Sequence, residues 1–239
     1  MGNGRLVYHA DVREHFESKK AMGALHQGVM RSFREYMLVG GMPQVVQAFV
    51  NGKDFGKADY VKQQIITLYK NDMQEQNEEN SVYVRNFFDR IPSELSKHDK
   101  RYVLSHIDSS ARIRNYQGPI RWLDEAMIVN LASKVDDPSA AFNFGVTDPA
   151  FKCYLSDTGL LVSPAFSDRL YLENELYRAV LRDQLQVNEG MLVENVVAQC
   201  LKANGHRAYF YVERNPETRK TTMEIDFLIR QAKKIIPDR

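Results

Sequence analysis

The sequence predicts an α+β fold, with a mainly helical first half and a mixed α/β second half. Three observations predict it. Apolar residues recur at helical spacing through most of residues 29–129, and a strong amphipathic helix at 190–203 is followed by two apolar strands. The 239 residues are 44% hydrophobic and 26% charged, which is enough to bury one or two cores.

The bulk composition also narrows the function. A net charge of +1 excludes a uniformly basic nucleic-acid coat, so any phosphate-binding surface has to be local. Cys153 and Cys200 are far apart and form no Cys-x-x-Cys pair, so neither a disulfide framework nor a zinc knuckle is expected, and a reducing, cytoplasmic setting fits. The six histidines, among them His9, His98 and His206, show no ligand spacing. No run approaches the roughly 18 to 20 apolar residues of a membrane span, so no membrane partner is expected.

Residues 1–30 are short, mixed and interrupted by Gly2, Gly4, Gly23 and Gly28, and read as the tail of something upstream. From Val29 to Phe49 the stripe Val29, Met30, Phe33, Met37, Val45, Val46, Phe49 predicts two helices about a tight turn at Gly40-Gly41-Met42-Pro43. The glycines there are read as backbone turn residues rather than ligand contacts. Asp59 to Glu75 is a further helix on Tyr60, Val61, Ile65, Leu68 and Tyr69, and the polar run Gln74 to Asn80 is a corner. Val82 to Ile91 reads as one helix, with Pro92-Ser93-Glu94-Leu95 as a turn into a second. Arg112-Ile113-Arg114-Asn115-Tyr116 reads as extended ahead of Gly118-Pro119, and Ile120 to Val129 as an apolar helix that anchors Trp122 in the core. Short helices about tight turns, closed by a β-like return, are compatible with a winged helix-turn-helix, although the spacing alone also allows other small bundles.

Charge is uneven in this half. Lys97, Lys100, Arg101, Arg112, Arg114 and Arg121 face only Asp99 and Asp108 between residues 97 and 121. Two readings stay open: a solvated helix surface, or a phosphate-contacting face with Tyr102 and Tyr116 near it.

Beyond Ala140, Phe151 to Ser156 reads as a strand, with Asp157-Thr158-Gly159 capping the element that follows. Gly190 to Ala203 is an amphipathic helix stopped by Asn204-Gly205, and strands at His206 to Glu213 and Met223 to Arg230 flank a polar hairpin. Glu194 on that helix and Asp226 in the last strand are candidate catalytic and metal-ligating carboxylates. A hard cation such as Mg²⁺ takes oxygen ligands, and a carboxylate in an apolar strand is costly without a partner. The alternative for Asp226 is an edge position or an ion pair with an arginine such as Arg214.

Five stretches then carry a resemblance in one order: Gly40 to Val46, Ile91 to Leu95, Ile120 to Ala126, Tyr154 to Leu161, and Glu194-Asn195 with Glu224 to Ile229. Together they resemble the C-terminal part of a prokaryotic ATP-binding protein family, in which an AAA-type ATPase domain precedes a domain of unknown function. That domain is described as a winged helix joined to a PD-(D/E)XK nuclease-like fold. The resemblance implies a remnant of the ATPase lid at 1–30, a helical winged-helix-like domain at 31–138 and an incomplete restriction-endonuclease-like α/β domain at 139–239.

It also implies ATP and Mg²⁺ for the whole protein, with its own upstream ATPase domain and DNA as partners. The chain itself has no Gly-x-x-x-x-Gly-Lys-Ser/Thr loop, so no cofactor site is expected in it. The strand that in the family ends in Glu-x-Lys begins here at Lys234-Ile235-Ile236-Pro237 and is followed by Asp238-Arg239. The expectation is thus a fragment that engages DNA through Lys97, Lys100, Arg101, Arg112 and Arg114 but has an incomplete cutting site at Glu194 and Asp226. Its enzymatic status is open, and the alternative is a non-catalytic interaction or regulatory module on a degenerate nuclease scaffold.

Overall fold

A computed structural model describes residues 12–75, 78–109, 111–137, 150–165, 189–218 and 220–230. Expectations that fall on the remaining residues, including the strand at Lys234-Ile235-Ile236-Pro237, lie outside them.

A helical segment at 12–18 is followed by α1 (Leu25–Val39), which starts ahead of the expected Val29 and runs across residue 30. It ends at Gly40, whose φ of 82° a side chain would resist and whose N–H donates to the Tyr36 carbonyl. The helix α2 (Pro43–Val50) begins on a proline that needs no N–H there, and buries Val45 and Phe49. The turn predicted at Gly40-Gly41-Met42-Pro43 therefore holds. The next helix, α3 (Phe55–Gln74), begins earlier than expected because the Asp54 carboxylate accepts from the N–H groups of Gly56 at 2.9 Å and Lys57 at 3.2 Å.

Two prolines were misread. The helix α4 (Glu78–Leu95) passes straight through Pro92 instead of turning there. Proline so close to the helix end removes only the bond to the Phe88 carbonyl, and Ile91 before it and Glu94 and Leu95 beyond it stay buried. The second helix expected after Pro92 is instead an irregular stretch with one 3₁₀ turn at Leu104–His106.

Likewise Arg112 to Tyr116 is not a continuous extended run: Arg112 stands, without a side-chain cap bond, just ahead of α5 (Ile113–Glu125), which includes Gly118 and Pro119. In a helix interior these two cost about 1 and 3 kcal/mol relative to alanine. The buried face Tyr116, Pro119, Ile120, Leu123 offsets that, at about 1.5–3 kcal/mol for each large apolar side chain. Trp122 packs partly buried against the core, as expected.

Past a turn at Ala126 and Met127 the chain enters the sheet. Strand β1 (Val129–Lys134) pairs antiparallel with β2 (Phe151–Leu155), in register Val129 to Leu155 and Leu131 to Cys153. The helices α6 (Thr158–Ala165) and α7 (Glu189–Ala203) follow, and α7 stops at Gly205 with φ 78°. Then β3 (Ala208–Arg214) runs parallel to β1, and β4 (Thr221–Ile229) antiparallel to β3, for a sheet order β2-β1-β3-β4. The sheet thus takes β1 from before residue 138 and the other strands from after it, and one apolar core runs from Met37 to Phe210. Where the two halves meet, Tyr102 stacks on Phe87 at 4.2 Å, donates its hydroxyl to the Phe87 carbonyl and its N–H to the Phe151 carbonyl.

Candidate functional site

Glu194 on α7 and Asp226 on β4 each contact a side chain of β2, Tyr154 and Lys152 respectively. Glu194 accepts the Tyr154 hydroxyl at 3.2 Å, and the Tyr154 ring packs against Phe227, next to Asp226, at 5.5 Å between centroids. Burial first, then the charge and hydrogen bond of Glu194 and the charge of Asp226, push the Tyr154 hydroxyl far above its usual range. It therefore stays protonated and acts as a donor, not a base.

Lysines complete the cluster. Lys152, two residues before Tyr154 and so on the same face of β2, places its Nζ 2.8 Å from Asp226 and 3.4 Å from Glu224, with the Phe210 ring at 5.2 Å. Only 1% of the Lys152 side chain is exposed, and the two carboxylates beside it offset the burial of its ammonium group. Lys100 pairs with Glu194. Arg214, the alternative partner for Asp226, is bound to Asp99 at 2.7 Å instead.

Among the described residues, those around Glu194 and Asp226 do not fit Mg²⁺. Each carboxylate is already held by an ammonium group, and among the described residues no three His, Cys, Asp or Glu side chains group so as to hold a metal ion. Sequence reasoning missed Lys152, Tyr154 and Glu224. The signal was a lysine inside the otherwise apolar run Phe151 to Leu155.

Of the five expected DNA-binding residues, three are held in ion pairs. Lys97 lies 2.6 Å from the buried Glu94, which His106 also contacts at 3.0 Å; Lys100 is on Glu194, and Arg101 chelates Asp99. Arg112 and Arg114, at the start of α5, are exposed and carry no ion pair among the described residues. Further along α5, Arg121 pairs with Glu125 at 2.8 Å, both well exposed, a contact of little worth.

The side-chain bonds from Arg101, helped by Arg214, hold the Asp99 carboxyl at about 2, below its usual 3.8. The folded-state pKa is depressed, so this contribution to stability is complete above pH about 4 and is lost as pH falls towards 2. Urea midpoints measured across that window should fall less steeply for Asp99→Asn than for the unmodified chain; parallel curves would show that the pair contributes nothing.

The glycine and aspartate motifs form a second, structural site. The buried Asp157 accepts from the N–H groups of Gly41 at 2.7 Å and Leu160 at 3.3 Å, which joins the α1–α2 turn to the start of α6. Its capping role holds as predicted. Beside it, Asn195 makes paired bonds to the Leu155 backbone at 2.9 and 3.0 Å, and Gln199 bridges Tyr36 and Thr158. Lys62, 1% exposed, donates to the Leu38 carbonyl and pairs with the buried Asp59 at 3.3 Å; burial pushes its ammonium below the usual range.

Among the described residues, an α+β protein with a four-stranded mixed sheet and two polar clusters that both touch β2 is the class these features define. The model of one family, described as Domain of unknown function (DUF8612), matches residues 30–169, and the chain belongs to that family. The match runs from within α1 to just past α6, hence over the glycine turn, Asp157, Lys152 and α5, and stops before Glu194 and Asp226. No curated protein matches the chain, and neither does any solved structure. The family's description names no activity, and it lends no support to membership of the ATPase family. Among the described residues no helix is long and apolar enough to cross a membrane.

Proposed function

We propose that this chain is a DNA-engaging module, with the α5 region acting as a winged helix and α7 with β3 and β4 as a restriction-endonuclease-like scaffold. The observation that carries the reading is the pair Arg112 and Arg114, exposed at the N-terminal end of α5, directly ahead of the antiparallel pair β1 and β2. A helix followed by two antiparallel strands is the order of a winged helix, and unpaired arginines suit phosphate. The resemblance adds an ATPase domain in the same polypeptide, whose ATP hydrolysis would drive or gate the module in the cytoplasm.

Such binding is electrostatic, so affinity for duplex DNA falls with salt, and each phosphate contact contributes about 0.9 to the slope of log affinity against log salt. Arg112→Ala with Arg114→Ala should lower that slope by about 2 in a fluorescence-anisotropy titration. Equal retention by the double variant would sink the reading.

A second reading, a non-catalytic interaction module on a degenerate nuclease scaffold, is favoured by the lysines that neutralise Glu194, Glu224 and Asp226. It differs from the first in predicting partner binding that is indifferent to the two arginines. Both readings expect labelled DNA to stay intact when Mg²⁺ is added to this chain.

A further inference from the structure

The outer face of α5 carries one feature that the fold does not require. Gly118 is exposed in the middle of the helix, its φ is not positive, and a Cβ built there meets nothing within 4 Å outside its immediate chain neighbours and the helix's own backbone. A glycine costs helix stability, so a reason is wanted. The following Pro119 could supply one, since the residue before proline is disfavoured in a helix when it bears a Cβ. In α4, however, Ile91 stands before Pro92 with a β-branched side chain and the helix continues unbroken. The protein therefore tolerates a Cβ at such a position.

Around Gly118 the exposed side chains are Arg114 one turn before, Gln117 beside it and Arg121 one turn after. Positions three and four apart share a helix face, so the arrangement is a bare patch of backbone flanked by two guanidinium groups and an amide. The arginines complement a polyanion. Arginine pairs with the guanine edge and glutamine with the adenine edge in the major groove, and an α-helix fits that groove.

We infer that the α5 face Arg114, Gln117, Gly118, Arg121 seats in the major groove of duplex DNA, with Gly118 as the point of closest approach. This rests on the DNA-engaging reading above and deepens it by naming the ligand as double-stranded and the contact as helix in groove. Arg121 leaves its exposed contact with Glu125 to do so. A side chain at 118 then blocks the approach without changing any charge.

The test compares the unmodified chain with Gly118→Leu, Gly118→Ser and, as a control on the exposed face of α3, Gln64→Leu. Anisotropy with a random-sequence duplex at about 50 mM salt is read beside heparin retention and thermal unfolding. The expected result is duplex affinity weakened about tenfold in Gly118→Leu, or about 1.4 kcal/mol, and severalfold in Gly118→Ser. The melting temperatures should not fall, since a helix-interior glycine is removed, and heparin retention and the duplex affinity of Gln64→Leu should be unchanged. If Gly118→Leu fails to fold, Gly118→Ser carries the test alone. Undiminished duplex binding by the folded glycine variants, while Arg112→Ala with Arg114→Ala still weakens it, overturns the inference and leaves the DNA reading standing. A parallel loss on heparin assigns the face to polyanions in general and also overturns it. No duplex binding by the unmodified chain overturns both.

Discussion

Gly159→Ala is expected to leave little folded protein. A Cβ at 159 would stand 2.7 Å from the Gly40 nitrogen, and closer still to the Val39 carbonyl, and both are backbone atoms with no rotamer to escape into. Val39 and Gly40 end α1, so relief requires α1 and α6 to move apart, which breaks the Asp157 bond to Gly41. Overpacking of this kind costs on the order of 3 kcal/mol or more, a large share of a typical domain stability of about 5–15 kcal/mol. Gly40→Ala should be nearly as damaging, because its Cβ would lie 2.8 Å from the Asp157 carboxyl carbon at a φ of 82°. Soluble yield and urea midpoints measure both. A Gly159→Ala protein that unfolds within about 1 kcal/mol of the unmodified chain would contradict the packing described.

Lys62→Ala is the second large effect. Its ammonium group is 1% exposed and its partner Asp59 2% exposed, so removal takes the cation away from a buried carboxylate to which Gln63 still donates. Breaking one side of a buried pair costs about 3–5 kcal/mol, whereas replacing both by apolar groups is often neutral. The expected pattern is therefore strong destabilisation by Lys62→Ala and substantial recovery when Asp59→Leu is added to Lys62→Met. A double variant as unstable as Lys62→Ala would show that the lysine's bond to the Leu38 carbonyl, and not the ion pair, holds α3 to the end of α1.

Much of the secondary structure was legible because it rests on local chemistry. The turn at Gly40-Gly41-Met42-Pro43, the amphipathic α7 with its Gly205 stop, and the strands at 208–214 and 221–229 each carry periodicity or a special backbone residue. Pro92 and Gly118-Pro119 were misread because local propensity is a weak term there. The buried faces of α4 and α5 run across those residues, and several large apolar side chains outweigh them.

The candidate site was half legible. Carboxylates at 194 and 226 stand out by residue type, and they contact Tyr154 and Lys152 of β2 respectively. Their partners Lys100 and Lys152 lie 94 and 74 residues away, and pairing over such distances has no signature in spacing. The same holds for the basic segment at 97–101, whose positive charges are absorbed by Glu94, Asp99 and Glu194, leaving Arg112 and Arg114.

The bond between Gly41 and Asp157 spans 116 residues, and that between Tyr36 and Gln199 spans 163. Ribosomes add about 5–20 residues per second, so α1 and α2 emerge on the order of 10 s before the carboxylate that clamps their turn exists. Over that interval Met37, Leu38 and Val39 have nothing from α6 or α7 to pack against, and they offer a chaperone an apolar segment to bind. Synonymous codons that slow translation between 41 and 157 should therefore lower soluble yield without changing the stability of the protein that does fold.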